Sequence, residues 1–195
     1  SFGKAMYTNK GNGAIPCYFI CDKDFIRKYG LGMVYPGASN LLKALADGYV
    51  VKEKTVSGLA QKLNVDSDNL LQEINAHNKY AETGNDKGFN KGGNNYERNL
   101  GDPSHGPNPC IGCIKTPPFY SIEVYPGDIG ASVGLVTDAN ARVVAANNEP
   151  IPGLFACGND MDSVMAGVYP GPGITIGPAM TFGYIAAKYI SENRA

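Results

Sequence analysis

The residues with the most chemical potential lie near the C-terminus, where LFACGND leads through a turn to GVYPGPGITIG and then to a long apolar run. A strand that ends at Cys157-Gly158-Asn159 and a glycine-rich turn that opens a helix near Gly173 would set a row of backbone N–H groups at a helix N-terminus. Such a terminus attracts an anion or a polarised carbonyl. Gly171 and Gly173 would let a flat ligand approach the backbone, and Pro172 and Pro178 would stiffen the turn without using donors. The spacing fits a Gly-Pro turn that merely packs equally well, because one glycine-rich strand-to-helix turn carries little information. No GxGxxG with a following acidic residue is present, and no Walker lysine, so the chain lacks the usual complete dinucleotide site.

The cysteines are the second candidate. Cys110-Ile-Gly-Cys113 has the spacing of a metal or dithiol pair, but a zinc site needs a second ligand pair, and the only histidines are His77 and His105. Cys17 and Cys21 lie in the apolar stretch AIPCYFICD, where thiols fill core space as small hydrophobes. Structural thiols are therefore expected throughout, with no metal bound. Five cysteines, an odd number without secretory context, favour free thiols in a reducing compartment, which makes cytoplasm the expected location.

The elements that must position these residues divide the chain. Residues 14–21 read as a buried strand, Asp22–Tyr29 as a short charged helix ended by Gly30, and Asn40–Ala46 as a helix stopped by Gly48. Residues 49–55 read as a short strand or an extended arm. Ser57 opens a further helix, and Asp66 or Ser67 caps a longer one with Leu70, Leu71, Ile74, His77 and Asn78 along one stripe. From Thr83 to Asn108 the chain is rich in Gly, Asn and Asp, which predicts an irregular surface excursion, either mobile or covering a site. After PNPCIGCIKTPP it changes to strands joined by tight turns and then to one helix over Gly173–Ser191, with Ala179, Phe182, Gly183, Ala186, Ala187 and Ile190 as a stripe of small and apolar residues. The fold class is α+β, in two parts, 1–116 and 117–195.

Composition excludes several classes. The 195 residues are 43% hydrophobic and 18% charged, which rules out disorder and collagen. Seventeen basic against eighteen acidic side chains, with no block of either sign, make nucleic acid an unexpected partner. No apolar run approaches the roughly 20 residues that cross a bilayer, so no membrane span is expected. Twenty-five glycines, thirteen prolines and no tryptophan suit a chain of many turns and close backbone approaches.

Three stretches together carry a family resemblance: PPFYSIEVYPGDIG, GLVTDANARVV and IPGLFACGNDMDSVMAGVYPGPGITIGPAMTFGYIAAKYI. They resemble the C-terminal part of FAD-dependent 3-ketosteroid dehydrogenases, relatives of the fumarate reductase and succinate dehydrogenase flavoproteins. More loosely, residues 1–116 resemble the substrate-side cap of that family, and 117–195 the C-terminal strands and helix of its flavin-binding domain. The family's Rossmann glycines lie near the N-terminus of a chain more than twice as long, so the resemblance implies a C-terminal fragment whose partner is the missing FAD-binding half. Alone it is expected to hold little or no FAD and to be inactive.

The resemblance also implies roles. Gly158 and Asn159 would lie near the ribityl-flavin region, and Gly173, Ile174 and Thr175 would present the helix N-terminus to the flavin pyrimidine edge, where a reduced flavin carries negative charge. Tyr169 and Gly173 match the Tyr and Gly that hold the ketone oxygen through a phenol O–H and a backbone N–H. The family's tyrosine base would precede Ser1, and Tyr7 and Tyr18 read as core or surface aromatics rather than substitutes. The CxxC is a departure from the family pattern. The implied activity is dehydrogenation or reduction of a C–C bond beside a ketone. The alternatives are a fumarate reductase-like flavoprotein acting on a dicarboxylate or other enoate, and a non-catalytic domain. Dicarboxylate chemistry needs arginine clamps, and where those relatives carry an Arg in the glycine-rich tail this chain has Tyr169; its only arginines are Arg27, Arg98, Arg142 and Arg194.

Overall fold

The computed structural model describes residues 2–127 and 130–193; Arg194 therefore lies outside the described residues. The chain forms two compact units, Met6–Tyr125 and Pro126–Ala195 together with Ser1–Ala5. Helix α1 (Phe2–Thr8) runs across that division.

The first unit is built on a three-stranded sheet, β1 (Cys17–Cys21), β3 (Phe119–Val124) and β2 (Val51–Glu53), with β3 in the centre and both pairings antiparallel. Side chains alternate along a strand, so β3 feeds two cores. Tyr120 and Ile122 join Cys21, Ile26, Leu31, Val34 and Val50 on one face. Phe119 joins Leu59 and Leu63 on the other, with Tyr18, Ile20 and Ile114 packed alongside. The first face is covered by α2 (Lys23–Tyr29) and α3 (Leu41–Ala46), the second by α4 (Val56–Leu63). Helix α5 (Ser67–Thr83) packs on α4. Burial on both faces leaves Ser121 fully enclosed, with no partner for its hydroxyl among the described residues.

Local chemistry explains the helix ends. Asp22, Thr55 and Asp66 each accept a hydrogen bond from the third residue on, at 2.9, 3.0 and 2.7 Å, and so cap α2, α4 and α5. Gly30 ends α2 at φ +79°, ψ −171°, where a Cβ would lie 2.2 Å from the Val34 carbonyl oxygen. Only glycine fits that position.

Three expectations need adjustment. The strand expected over residues 14–21 is shorter and, as an edge strand, only half-buried, with Phe19 48% exposed. Cys21 does fill the core, and burial pushes its thiol up to about 12, whereas Cys17 is half-buried against the Met6 sulfur at 3.9 Å. The change of character placed at residues 116 and 117 is not where the compact units part, because β3 pairs with β1 and β2 and stays in the first unit. The excursion after Thr83 holds a short helix, α6 (Asn95–Asn99), and closes on Asn108, which is 1% exposed and donates through its amide to the Gly84 and Lys91 carbonyls at 3.0 and 2.9 Å.

The second unit has a hairpin of β4 (Arg142–Val144) and β5 (Pro150–Phe155) and one long helix, α7 (Ile176–Glu192). The hairpin entry is fixed by Asp138, which accepts from the Asn140 and Arg142 backbone N–H groups and pairs with the Arg142 guanidinium at 2.6 Å. Arg142 in turn donates to the Tyr189 hydroxyl at 2.9 Å and lies 4.9 Å from that ring's centre, which ties the hairpin to α7. Among the described residues no helix is long and apolar enough to cross a membrane.

Candidate active site

The small face of α7 sets the site. Ala179 lies 3.1 Å from where a Cβ on Gly158 would stand, and Gly183 sits against the Cys157 sulfur. Ala186 is buried, and Phe182 packs on Val143, Ala156 and Met161. Small residues thus let the helix close onto the turn that follows β5, as the stripe predicts. Ala187 and Ile190 are exposed. The helix begins at Ile176 rather than Gly173, with Thr175 as its N-cap and no side-chain capping bond, so the Thr175 hydroxyl is not spent on the helix.

Between the Gly158–Asp160 turn and the start of α7 lies a cavity of about 150 Å³. Gly158, Asn159, Tyr169, Ile174 and Thr175 all line it, so five of the six expected residues meet at one place. Gly173 does not line it. It faces an adjoining hollow of about 520 Å³ with Pro170, Pro172 and Phe182, and Ile174 and Pro178 border both spaces. Gly173 has φ +97°, a left-handed conformation that favours glycine, and its carbonyl accepts from Gly177 N–H at 2.7 Å. Among the described residues neither the Gly173 N–H nor the Tyr169 hydroxyl has a partner, and Tyr169 is 52% exposed. Two unspent donors therefore stand on one Tyr-Pro-Gly-Pro-Gly loop.

Sequence reasoning missed Gly130, Ser132 and Ser163, which also line the smaller cavity. A Cβ on Gly130 would lie 2.8 Å from the Asn159 amide nitrogen and 3.6 Å from the Thr175 methyl. This glycine keeps the cavity wall open, and the only sequence signal for it is its place in the GDIG stretch. The cradle has what a flat, partly anionic ring system requires: glycines where side chains would intrude, an amide and hydroxyls at the edge, and a helix N-terminus. The residues present fit a flavin.

The other candidates make contacts to backbone carbonyls. In the first unit Cys110 donates through sulfur to the Glu97 carbonyl at 3.1 Å, and the Cys113 sulfur lies 4.0 Å from the Asn78 carbonyl oxygen. His105 and His77 donate through Nε2 to the carbonyls of Ile111 and Gly112 at 2.9 and 2.8 Å, and the Asn78 amide pairs with both backbone groups of Ile114. All five cysteines are free, and among the described residues no three His, Cys, Asp or Glu side chains gather as a metal centre would require.

The family model for the FAD binding domain matches residues 1–176. The chain belongs to that family. It is 40% identical over 181 residues to the 3-oxosteroid 1-dehydrogenase of Mycolicibacterium smegmatis, a match that covers 93% of this chain and 32% of that protein. It is 35% identical over 181 residues to the 4-oxocyclohexanecarboxylate 2-dehydrogenase of Sinomonas cyclohexanicum, across 92% of this chain and 30% of the relative. The crystal structure of a 3-ketosteroid delta1-dehydrogenase from Sterolibacterium denitrificans, in complex with 1,4-androstadiene-3,17-dione, matches with a TM-score of 0.88 at 40% identity, over 99% of this chain and 35% of that one. These relatives bear out the resemblance to 3-ketosteroid dehydrogenases. The chain spans about a third of the length of the relatives it matches.

Proposed function

We propose that this chain is part of an FAD-dependent oxidoreductase that dehydrogenates or reduces a C–C bond next to a ring ketone, most like a 3-ketosteroid dehydrogenase. The observation that carries this reading is the pair of unspent donors, the Tyr169 hydroxyl and the Gly173 N–H, on the loop beside the cradle. Gly158 and Asn159 would lie near the ribityl-flavin region, and Gly173, Ile174 and Thr175 would meet the flavin pyrimidine edge. A bound flavin would supply the acceptor or donor of hydride for the carbon beside the one that exchanges a proton. Tyr169 and Gly173 donate to the ketone oxygen and stabilise the enolate that develops as the neighbouring carbon loses its proton, worth a few kcal/mol per donor. The base that takes this proton is, by resemblance, ahead of Ser1.

In this reading residues of the first unit serve as the substrate-side cap and those of the second as the closing strands and helix of the flavin domain. The partner is the dinucleotide-binding half. The second unit leaves Ile176, Met180 and Tyr184 of α7 between 64% and 70% exposed, along one helix face, which suits packing against such a half. The ketone reading is favoured over dicarboxylate chemistry because no arginine among the described residues lines the cradle, and Arg142 is held by Asp138 and Tyr189.

The test of the cradle is Gly130→Val. The added side chain drives against Asn159 and Thr175, so flavin bound per chain, in the protein with its dinucleotide-binding half in place, is expected to fall by roughly tenfold or more, a change of about 1.4 kcal/mol. Far-ultraviolet circular dichroism should not change. Full flavin content in that variant would contradict the assignment.

A further inference from the structure

In the second unit the end of β5 and the turn after it run alongside α7 in the opposite direction, so their contacts form a ladder. Tyr189 meets Phe155, with ring centres 6.0 Å apart, Gly183 meets Cys157, and Ala179 meets Gly158. The cradle stands at the last of these rungs. Tyr189 lies about 15 Å further along the helix, at about 1.5 Å per residue. Neither Tyr189 nor its partner Arg142 lines the cavity, so any effect of this pair on a bound flavin must pass through α7 and the strand.

The rungs nearest the cradle are small. Glycine and alanine let the helix and the turn close together, but they raise no ridge that would stop one from sliding along the other. Phe182 adds apolar contact with Val143, Ala156 and Met161, and such contact is not directional. Among the described residues, the one side-chain hydrogen bond that joins α7 to the hairpin is that from Arg142 to Tyr189.

That bond is aimed. Asp138 accepts from Nε and Nη2 of Arg142 at 2.7 and 2.6 Å, which leaves Nη1 to donate to the Tyr189 hydroxyl at 2.9 Å. A planar guanidinium serves both partners in one geometry, which a lysine ammonium cannot do. Asp138 is itself held by the backbone N–H groups of Asn140 and Arg142, and Arg142 stands opposite Phe155 in the hairpin register. The bond from Ala156 N–H to the Ala141 carbonyl, at 3.1 Å, carries that register on toward Gly158. Arg142 therefore ties α7 to the strand whose end forms one wall of the cradle, while the start of α7 forms another.

We propose that Arg142 is a positioning residue for the flavin: through Tyr189 it fixes the lengthwise setting of α7, and with it the place of the helix N-terminus relative to Gly158 and Asn159. The assignment rests on the flavin site of the proposed function and not on its ketone chemistry. The test is the midpoint potential of the bound flavin, in the protein with its dinucleotide-binding half in place, for Arg142→Lys and Tyr189→Leu. The first can still pair with Asp138, the second loses hydroxyl and ring, and both keep the net charge. A helix N-terminus favours the negative charge of a reduced flavin, so a helix free to slide favours it less. Both variants should shift the equilibrium against the reduced flavin by roughly fivefold, about 20 mV for two electrons. Loss of flavin from either variant with circular dichroism unchanged is the stronger form of the same result. A contact that served stability alone would lower the urea midpoint and leave the potential where it was. An unchanged potential in either variant overturns the assignment. A wild type that holds flavin but turns over no ring ketone would count against the proposed function and leave this assignment in place.

Discussion

Tyr169→Phe, in the flavin-loaded protein with its dinucleotide-binding half in place, is expected to lower kcat for a 3-ketosteroid by roughly a hundredfold or more, with fold and flavin content intact. Loss of one oxyanion donor has effects of this size elsewhere. The expectation rests on three features. The hydroxyl has no partner among the described residues, its ring lines the cradle, and it shares a Pro-stiffened loop with the free Gly173 N–H. A tyrosine that served only to pack would be buried and hydrogen-bonded, and its replacement would cost stability rather than turnover. Steady-state kinetics normalised to bound flavin separates the two, since a transition-state donor lowers kcat and kcat/KM together. Unchanged kcat in the Phe variant would remove Tyr169 from the mechanism.

Asp22→Ala should have the largest effect on the first unit. The carboxylate is 2% exposed, caps α2 through Phe25, and holds the Lys115 and Thr116 N–H groups from more than ninety residues away, at |i−j| of 93 and 94. Loss of a cap costs about 1 kcal/mol, and each backbone donor left unpaired in the interior costs about 1–3 kcal/mol. A destabilisation of about 3 kcal/mol or more is expected in urea unfolding, with Asp22→Asn intermediate because its amide keeps one acceptor. A change below about 1 kcal/mol would show that water replaces these contacts at no cost.

Most helices of the first unit were legible because their signals are local. Asp66 caps, Gly30 and Gly48 stop, and the apolar spacing between them has the helical period, although α4 is capped by Thr55 and not opened by Ser57 as expected, and Asp22 caps α2 from outside it. The boundary between units was not legible at that level. Phe119–Val124 reads as one more strand after a proline pair, and only long-range pairing with Cys17–Cys21 and Val51–Glu53 assigns it to the first unit. The order in the Asn-rich excursion was hidden for a similar reason: it comes from Asn108 reaching back to Gly84 and Lys91. At the candidate site, the turn, the helix and the small face were readable from glycine and alanine spacing. What spacing could not convey is that Gly173 turns to the hollow beside the cradle while Tyr169 borders the cradle itself, nor that Gly130 keeps its wall open.

The central claim is that a ring ketone exchanges hydride with a flavin held at this cradle. Anaerobic mixing of the flavin-loaded protein with a saturated 3-ketosteroid, followed by the visible flavin absorbance, tests it most directly. The account predicts that the band bleaches as the ketone is dehydrogenated, far more slowly in Tyr169→Phe, and that a saturated dicarboxylate leaves it unchanged. A band that persists with every ring ketone, or that bleaches with the dicarboxylate instead, would contradict it.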